Sequence, residues 1–251
     1  MKVSIITVTY NSAATIIKTL ESVSEQTYKN IEHIIIDGQS NDDTLKIINT
    51  FPHISSCTSE SDTGIYNAMN KGLKIATGDI VGFLNSDDWF FNDKIIEEYV
   101  EAFSSNDIDA VYGDLCFVKD ESNKFFFRKW TSSNYKSQSF VKGWVPPHPT
   151  FYCKNKIFRK YGNFDDKLSF AADFDIMCRF FSNDKFKSLY IPGIKINMRL
   201  GGATTKNFKN ILLGNIEIFN SLHKNNFKPG ITFFIWKAFN RASQLLNRKS
   251  V

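Results

Sequence analysis

The chain has 251 residues, which is long enough for one large domain or for a domain with an appendage. Hydrophobic residues make up 42% of it and charged residues 23%, a balance typical of a globular protein, and the lack of any run of roughly 18 apolar residues excludes a membrane-spanning helix. The net charge of +5 is uneven, because residues 206–251 carry a net +7 and the preceding part of the chain sums to −2.

The first hundred residues predict strands that alternate with helices. β-Branched and apolar runs indicate strands at 2–11, 31–37, within 54–64 and at 79–85. Helical spacing of apolar residues indicates helices at 13–26, from near 44 and at 65–76. Ser12 is available as the N-cap of the first helix. This alternation with short loops predicts a parallel sheet that is covered by helices on both faces.

The pattern from about residue 105 to residue 200 is more mixed. Further strands are indicated at 109–118, 124–130 and 187–200, and a further helix at 171–182. The last forty-odd residues have the pattern of helices. Together these elements predict the α/β fold class.

Polar residues stand at the carboxyl ends of three predicted strands. They are Thr9-Tyr10-Asn11, Asp37 and Asp87-Asp88. In open α/β sheets, ligands bind in the crevice at these strand ends. The sequence therefore predicts that the three groups converge on one crevice.

The acid pair in "NSDDW" has two interpretations. Mg²⁺ and Mn²⁺ prefer carboxylate oxygens together with phosphates and water, so Asp87 and Asp88 at a strand tip suit a divalent cation beside a phosphate-bearing substrate. Alternatively, one of them caps a helix that starts near Trp89, although a cap needs only one carboxylate. Asp37 is similarly open: it could accept a uracil imide N–H or a ribose hydroxyl, or serve only as the turn residue of Asp37-Gly38.

Four segments, taken in order, carry a family resemblance. "VSIITVTYN", "IEHIIIDGQSNDDT", "SESDTGIYNAMNKGLKIATGDIVGFLNSDDW" and "AADFDIMCRF" resemble the family 2 glycosyltransferases with the GT-A fold, over roughly residues 1–200. The resemblance implies a nucleotide-sugar-binding α/β fold with a mainly parallel central sheet flanked by helices and a helical C-terminal extension. It divides the chain into a GT-A domain, 1–205, and a basic amphipathic tail, 206–251. Within the domain, 1–104 would bind the nucleotide and 105–205 the acceptor.

The resemblance also implies roles for the strand-end residues. The acid pair corresponds to the family's metal- and diphosphate-binding aspartates, with Asp88 on Mn²⁺ or Mg²⁺ and Asp87 nearer the ribose. Ser86-Asp87-Asp88 is not a literal D-x-D motif, which leaves open which aspartate touches the metal. The nucleoside base would be held by Thr9, Tyr10 and Asp37, with Asp62 close to it. Tyr10 has the flat face that packs on a pyrimidine, and a core position is the alternative.

The segment "FAADFDIMCRF" provides the candidate catalytic base. By resemblance, Asp173 precedes the helix at the position of the family's base, while Ala172 stands where an acid is usual. The alternative is that Asp173 only caps the helix. We expect Trp144 and His148 to contact the acceptor or the diphosphate, with Trp144 forming a platform for a sugar ring. For His148, packing in the protein interior is the alternative.

The resemblance implies an inverting, metal-dependent transferase in bacterial surface-polysaccharide synthesis. It would move a sugar from a nucleotide-sugar donor, expected to be a UDP-sugar, to a hydroxyl of a glycan or a lipid-linked acceptor. Two alternatives stay open. One is a nucleotide-sugar-binding protein without transferase activity, which the departure at Ala172 permits. The other is a nucleotidyltransferase, which would usually carry a Gly-rich basic loop where this chain has "TYNSAATI".

The C-terminal tail and the cysteines indicate where in the cell the protein is expected to be found. From residue 231 on, apolar residues recur at helical spacing, with basic residues beside them, as in helices that lie on anionic membrane surfaces; packing on the domain is the alternative. No nucleic-acid-binding motif accompanies the basic charge. The four cysteines show no metal-binding spacing and suit reduced thiols in buried or semi-buried segments. We therefore expect a cytoplasmic protein, peripheral on the cytoplasmic face of the inner membrane.

Overall fold

The structure, a computed structural model, describes residues 1–119, 126–201, 208–230 and 233–237. Within these residues, nine strands form one sheet in the order β3-β2-β1-β4-β8-β6-β9-β5, and β7 pairs with β6 beside this path. The strands are β1 Val3–Thr9, β2 Ile31–Asp37, β3 Ile54–Ser59, β4 Ile80–Phe83, β5 Trp89–Phe90, β6 Ala110–Val118, β7 Phe126–Trp130, β8 Tyr152–Lys154 and β9 Ser188–Arg199. The helices are α1 Ile16–Ser24, α2 Thr44–Ile48, α3 Ile65–Ile75, α4 Ile95–Ser105, α5 Asn155–Tyr161, α6 Ala172–Phe181 and α7 Phe208–Lys224.

The first half of the sheet is parallel, as predicted. β1 pairs in parallel with β2 and β4, and β2 pairs in parallel with β3. All seven residues of β1 are buried, which is expected of a strand with helices on both faces. The register sets Thr9 opposite Asp37, so the ends of β1 and β2 lie at the same sheet edge.

The second half of the sheet is mixed. β6 and β9 are parallel, whereas β8 runs antiparallel to both β4 and β6, and β5 runs antiparallel to β9. The expected α/β fold is confirmed, with its parallel part confined to β3-β2-β1-β4 and the β6–β9 pair. Hydrophobic patterns indicate strands but not their direction, so the antiparallel pairs were not foreseen.

Two local expectations are wrong. The N-cap position of α1 is Thr15, without a side-chain cap, while Ser12 contributes its carbonyl oxygen to the backbone N–H groups of Thr15 and Ile16 at 2.9 Å each. No helix starts near Trp89, because Trp89 belongs to β5 and the next helix, α4, begins at Ile95. The acid pair therefore does not cap a helix there.

The described part of the tail packs on the domain. Leu222, Phe227 and Phe233 are buried in the same hydrophobic cluster as Ile6 and Val8 of β1. Residues 233–237 are helical, and Phe234 and Ile235 are 45% and 67% exposed. The rest of the predicted amphipathic helix, 231–232 and 238–251, lies outside the described residues. The domain boundary at 205 stays a prediction.

The cysteines are all unpaired, in agreement with the expected reduced thiols. Cys116, Cys153 and Cys178 are buried, whereas Cys57 is itself exposed on β3, a strand whose residues alternate between half-buried and exposed. Cys57 lies on β3, the strand at the end of the sheet order, which explains its exposure.

Candidate active site

A cavity of about 980 Å³ lies at the carboxyl ends of β1 and β4. Its wall is completed by the start of α3, the 3-10 turn His148–Thr150 and the start of α6. Of the nine residues predicted to form the site, six line this cavity: Thr9, Tyr10, Asp62, Asp87, His148 and Asp173. Three do not line it: Asp37, Asp88 and Trp144. Of the three strand-end groups expected to converge on one crevice, Thr9-Tyr10-Asn11 and Asp87 line the cavity, whereas Asp37 and Asp88 do not.

The two adjacent aspartates occupy different environments. Asp87 is half-buried and lines the cavity, whereas Asp88 has no exposed surface. Asp88 lies behind the cavity wall, where Oδ1 accepts the Arg199 backbone N–H and Oδ2 accepts the Asn85 amide, both at 3.2 Å. The sequence expectation that Asp88 faces the metal is therefore not met by this geometry, because β5 turns Asp88 inward against β9.

Burial governs the electrostatics of this pair. It raises the pKa of the Asp87 carboxyl, against the lowering effect of the nearby Arg199 charge. Burial also raises the pKa of Asp88 well above its usual range, and the adjacent Asp87 charge raises it further. Two carboxylates held together in this way favour a compensating cation.

The cavity wall offers oxygen ligands for such a cation. The Asp87 carboxylate lines the cavity, as does Asn85, whose buried Oδ1 has no hydrogen-bond partner among the described residues. Within the described ranges, no group of three His, Cys, Asp or Glu side chains could hold a metal alone. Mg²⁺ and Mn²⁺ are commonly held by one or two protein oxygens plus substrate phosphates and water, so this donor set fits them.

The end of β1 presents an exposed aromatic ring. Tyr10 is 62% exposed and lines the cavity, so its alternative interpretation as a core residue is wrong. A Cβ atom at Gly38 would lie 2.7 Å from Asp62 Oδ2 and 3.5 Å from the Tyr10 ring, which puts all three residues together. Nearby, the buried Thr9 Oγ1 has no hydrogen-bond partner among the described residues. A ring, a carboxylate and a hydroxyl are thus available for a nucleoside.

Asp37 is buried beside this region and stabilises the loop that follows β2. Its carboxylate is fully buried and accepts hydrogen bonds from the Ser40 backbone N–H and hydroxyl at 2.9 and 2.5 Å, and from the Ser59 hydroxyl at 2.6 Å. Because these neighbours occupy its oxygens, Asp37 holds the loop after β2 and does not face the cavity. This outcome matches the turn-residue interpretation.

Asp173 lies in the first turn of α6 and faces the cavity. Its Oδ1 accepts the Tyr66 hydroxyl at 3.1 Å and the Phe174 backbone N–H at 2.9 Å, so it contributes to the helix start as well. Tyr66 comes from α3 and stacks on Phe164 with ring centroids 5.8 Å apart. Burial and then the Asp173 charge raise the pKa of the Tyr66 phenol well above its usual range, so Tyr66 remains a hydrogen-bond donor.

His148 forms the wall beside Asp173. Its ring stacks on Phe83 at 5.6 Å and meets Phe164 edge-on at 5.7 Å. Burial lowers the pKa of His148, and the Asp173 charge opposes that shift. The packing interpretation of His148 is confirmed, while its contact with the acceptor or the diphosphate stays a prediction for a ring that also lines the cavity.

Trp144 is not brought to the cavity. Its ring packs against Tyr112, Tyr135, Phe140 and Phe181, with centroids 5.6 to 6.0 Å away. This aromatic cluster explains why Trp144 offers no platform for a sugar. The many phenylalanines of the chain form a packed core at this position, and the sequence alone did not separate such packing from ligand stacking.

Several residues that line the cavity were not predicted from the sequence, and three of them, Asn85, Tyr66 and Arg199, have polar or charged groups beside the predicted ones. Asn85 had a signal, because it stands two residues before Asp87 in the same strand-end motif. Tyr66 matched the apolar spacing of α3 and was indistinguishable from a core residue. Arg199 lies at the end of β9, whose position next to the acid pair depends on the β5–β9 pairing.

Comparisons of sequence place the chain in a family. The model of "Glycosyl transferase family 2" matches residues 4–164. An uncharacterised glycosyltransferase of Mycobacterium tuberculosis strain H37Rv is 31% identical over 186 residues, covering 70% of this chain and 68% of the relative. A PGL/p-HBAD biosynthesis glycosyltransferase of Mycobacterium bovis BCG is 30% identical over 193 residues, covering 75% of this chain and 73% of the relative.

Comparisons of structure agree on the fold. The mannosyltransferase PcManGT of Pyrobaculum calidifontis, in complex with GDP-Man and Mn²⁺, gives a TM-score of 0.67 at 18% identity, with 98% of this chain and 69% of that chain covered. The structure of S. aureus TarS 1–349 in complex with UDP-GlcNAc gives a TM-score of 0.65 at 17% identity. The match covers 99% of this chain and 72% of that chain. In the comparison with a longer TarS structure, this chain covers 43% of the length of TarS.

Proposed function

Because the chain belongs to glycosyl transferase family 2 and is a glycosyltransferase, we propose that it moves a sugar from a UDP-sugar to a hydroxyl of a glycan or lipid-linked acceptor, with inversion at the anomeric carbon. One observation carries the proposal: Asp87 and Asp173, which are far apart along the chain, line the same cavity of about 980 Å³. A cation-binding carboxylate and a free base on one cavity are what such a transfer needs.

The donor would lie along the β1 and β4 ends. The exposed ring of Tyr10 offers a face for the pyrimidine, and Asp62 lies beside it. The diphosphate would lie near Asp87 and Asn85, which would hold Mn²⁺ or Mg²⁺. The ion, when bound, would neutralise negative charge on the departing diphosphate. Solved structures of the same fold are complexes with UDP-GlcNAc and with GDP-Man and Mn²⁺, which supports a nucleotide-sugar donor.

The acceptor would be activated by Asp173. Both hydrogen bonds given above go to Oδ1, from Tyr66 and from the Phe174 backbone, and they fix the plane of the carboxylate. The other oxygen, Oδ2, would accept the proton of the acceptor hydroxyl as that oxygen attacks the anomeric carbon from the face opposite the diphosphate. Holding both substrates in one cavity would lower the entropic part of the barrier.

We also propose that the C-terminal region binds a membrane surface. Six large apolar side chains are exposed on α7 and the helical segment 233–237: Leu212, Leu213, Ile216, Phe234, Ile235 and Trp236. We call these six residues the α7 patch. Exposed apolar side chains beside a basic sequence suit an anionic membrane surface, and hence a lipid-linked acceptor of bacterial polysaccharide synthesis on the cytoplasmic face. None of the described helices is both long and apolar enough to span a bilayer.

The test is a donor screen with purified protein. Thermal shifts and calorimetry with UDP-glucose, UDP-galactose, UDP-GlcNAc and GDP-mannose, with and without Mn²⁺, identify the donor. Release of the nucleoside diphosphate in the presence of glycan and lipid-linked acceptors then reports transfer, and NMR of the product gives its anomeric configuration. Binding without release favours a binding protein, and pyrophosphate release from a nucleoside triphosphate favours a nucleotidyltransferase.

A further inference from the structure

A carboxylate from α7 holds the segment that leads into α6. Glu217 Oε2 accepts the backbone N–H groups of Phe170 and Ala171 at 2.8 and 3.0 Å, and Oε1 accepts the Ser169 backbone N–H at 2.9 Å. Three consecutive amides thus converge on one side chain. Hydrogen bonds to an ionised acceptor are stronger than those between neutral groups, so this contact restrains residues 169–171 firmly.

The N-cap residue of α6 provides no side-chain cap, and Glu217 accepts one of the N–H groups at this helix start, that of Ala171. The N-cap residue is Ala171, which has no side chain that can accept a hydrogen bond, and the structure records no side-chain cap there. The first N–H groups of a helix need acceptors from outside the helix. Glu217 supplies acceptors to the residues immediately before α6, and Asp173 follows Ala171 by two positions.

The residues held by Glu217 are also part of the cavity wall. Ser169, Phe170 and Ala171 line the cavity together with Asp173, and Ile218, the neighbour of Glu217, lines it from α7. A shift of this segment would therefore move the wall and the carboxylate of Asp173 together.

The helix that carries Glu217 is anchored independently. Asn225, one residue beyond α7, donates from Nδ2 to Asp175 Oδ1 of α6 at 3.1 Å, and Asp175 also pairs with Arg179 at 2.6 Å. Lys224 pairs with Asp165 at 2.9 Å. Because these contacts fix the end of α7 against α6, Glu217 acts from a rigid support.

We propose that Glu217 is a positioning residue, which fixes residues 169–171 and thereby aims the carboxylate of Asp173 into the cavity. The proposal rests on the proposed function, in which Asp173 is the base. Glu217 is also the one acid among residues 206–251, so the basic C-terminal region contributes directly to the site.

The test compares Glu217→Ala and Glu217→Gln with a control, Lys187→Gln. The control breaks an exposed ion pair to Asp107, and neither residue of that pair lies on α6 or α7. We expect Glu217→Ala to lower kcat on the order of 10²-fold, with the donor KM and the Kd of UDP within twofold of wild type. Glu217→Gln, which keeps one carbonyl acceptor, should fall between wild type and Glu217→Ala.

A double-mutant cycle separates positioning from general stability. In the Asp173→Asn background, Glu217→Ala should cause no further loss of kcat, since the group that it aims is gone. An undiminished further loss, or an equal loss of UDP affinity and kcat, would overturn the proposal. So would a kcat for folded Glu217→Ala within threefold of wild type.

Hydrogen exchange provides a readout that needs no substrate. In the full-length protein, Glu217→Ala should speed amide exchange at residues 169–171 at least tenfold, while Lys187→Gln should leave it near the wild-type rate. Unchanged exchange in Glu217→Ala would refute the contact even in a protein with no transferase activity. Failure of the proposed function and failure of this inference are therefore distinguishable.

Discussion

The Tyr66 hydroxyl donates a hydrogen bond of 3.1 Å to Asp173 Oδ1 and so joins two residues that are 107 positions apart. Tyr66 lies in the first turn of α3 and Asp173 in the first turn of α6. The nucleotide-binding half and the acceptor-binding half of the expected domain therefore meet at the carboxylate that would act as base. This contact makes Tyr66 the strongest addition to the predicted site.

Removing the Tyr66 hydroxyl should affect the chemical step. We expect Tyr66→Phe to lower kcat about 10-fold, as loss of one hydrogen bond to a charged group is worth roughly 1.5–3 kcal/mol and part of the orientation survives through Phe174. The Kd of UDP should not change. The matched control is Tyr99→Phe, which removes a buried hydroxyl that donates to the Thr150 carbonyl at 2.9 Å. Equal kcat values for the two variants would remove Tyr66 from the site.

The acid pair gives a prediction that opposes the sequence expectation. Because Asp87 lines the cavity and Asp88 does not, Asp87→Asn should abolish the Mn²⁺-dependent part of UDP binding, as measured by calorimetry with and without the ion. Asp88→Asn should mainly lower the melting temperature, since it disturbs the contacts with Asn85 and the Arg199 backbone. If instead Asp88→Asn alone removes the ion dependence, Asp88 is the metal ligand.

The nucleoside end offers a similar contrast between Tyr10 and Asp37. Tyr10→Ala should weaken UDP binding about 10-fold with little change in melting temperature, because the ring is 62% exposed. Asp37→Asn should lower the free energy of unfolding by about 1–3 kcal/mol, because the buried carboxylate accepts three hydrogen bonds from Ser40 and Ser59. Chemical denaturation and calorimetry on both variants check this. A Tyr10→Ala protein with wild-type affinity would contradict it.

Sequence patterns predicted the features that follow from chain direction and periodicity. The alternation of strands and helices predicts a parallel arrangement, and parallel strands bring their carboxyl ends to one edge of the sheet. The expectation that Thr9 and Asp37 lie side by side is confirmed for this reason. The same patterns could not say which of two adjacent aspartates faces the cavity. Ser86 and Asp87 form a turn that is closed by the Asp88 N–H on the Asn85 carbonyl, and the pairing of β5 with β9 then directs Asp88 inward.

The remaining features depend on packing between helices distant in sequence. Tyr66 and Glu217 reach the Asp173 region from α3 and α7, and no local pattern records which helix faces which. The tail illustrates the same limit. Amphipathic spacing put Phe234 and Ile235 on the apolar stripe and Phe233 beside it, yet Phe233 is the residue buried in the domain core.

The α7 patch should govern membrane binding. Deleting 230–251 would also remove Phe233 from the core, so point substitutions are the better test. We expect Ile235→Glu combined with Leu212→Glu to abolish flotation with vesicles that contain phosphatidylglycerol, while donor binding is kept. The control is Ile75→Glu, which changes an exposed apolar residue on α3. Unchanged flotation of the double variant would exclude the patch as the membrane contact.

The buried His33, which lies against the half-buried His53, should make the stability of the protein depend on pH. His33 Nε2 lies 3.0 Å from Thr7 Oγ1, and its Nδ1 lies 3.0 Å from His53 Nε2. Burial, followed by the His53 charge, lowers the pKa of His33 from 6.5 to about 3. Between these values the unfolded chain binds a proton that the folded protein does not, so the free energy of unfolding falls as the pH falls below 6.5.

This histidine should therefore contribute about 2 kcal/mol to the loss of stability between pH 7 and pH 5. His33→Gln should be less stable than wild type at pH 7, because the glutamine cannot reproduce both contacts of the histidine ring with Thr7 and His53. Its free energy of unfolding should, however, fall less steeply as the pH is lowered. Urea denaturation at a series of pH values measures both slopes. Thr50→Ala changes an exposed residue that does not titrate, serves as the control and should retain the wild-type slope. Parallel slopes for His33→Gln and wild type would show that His33 does not become protonated on unfolding in this range.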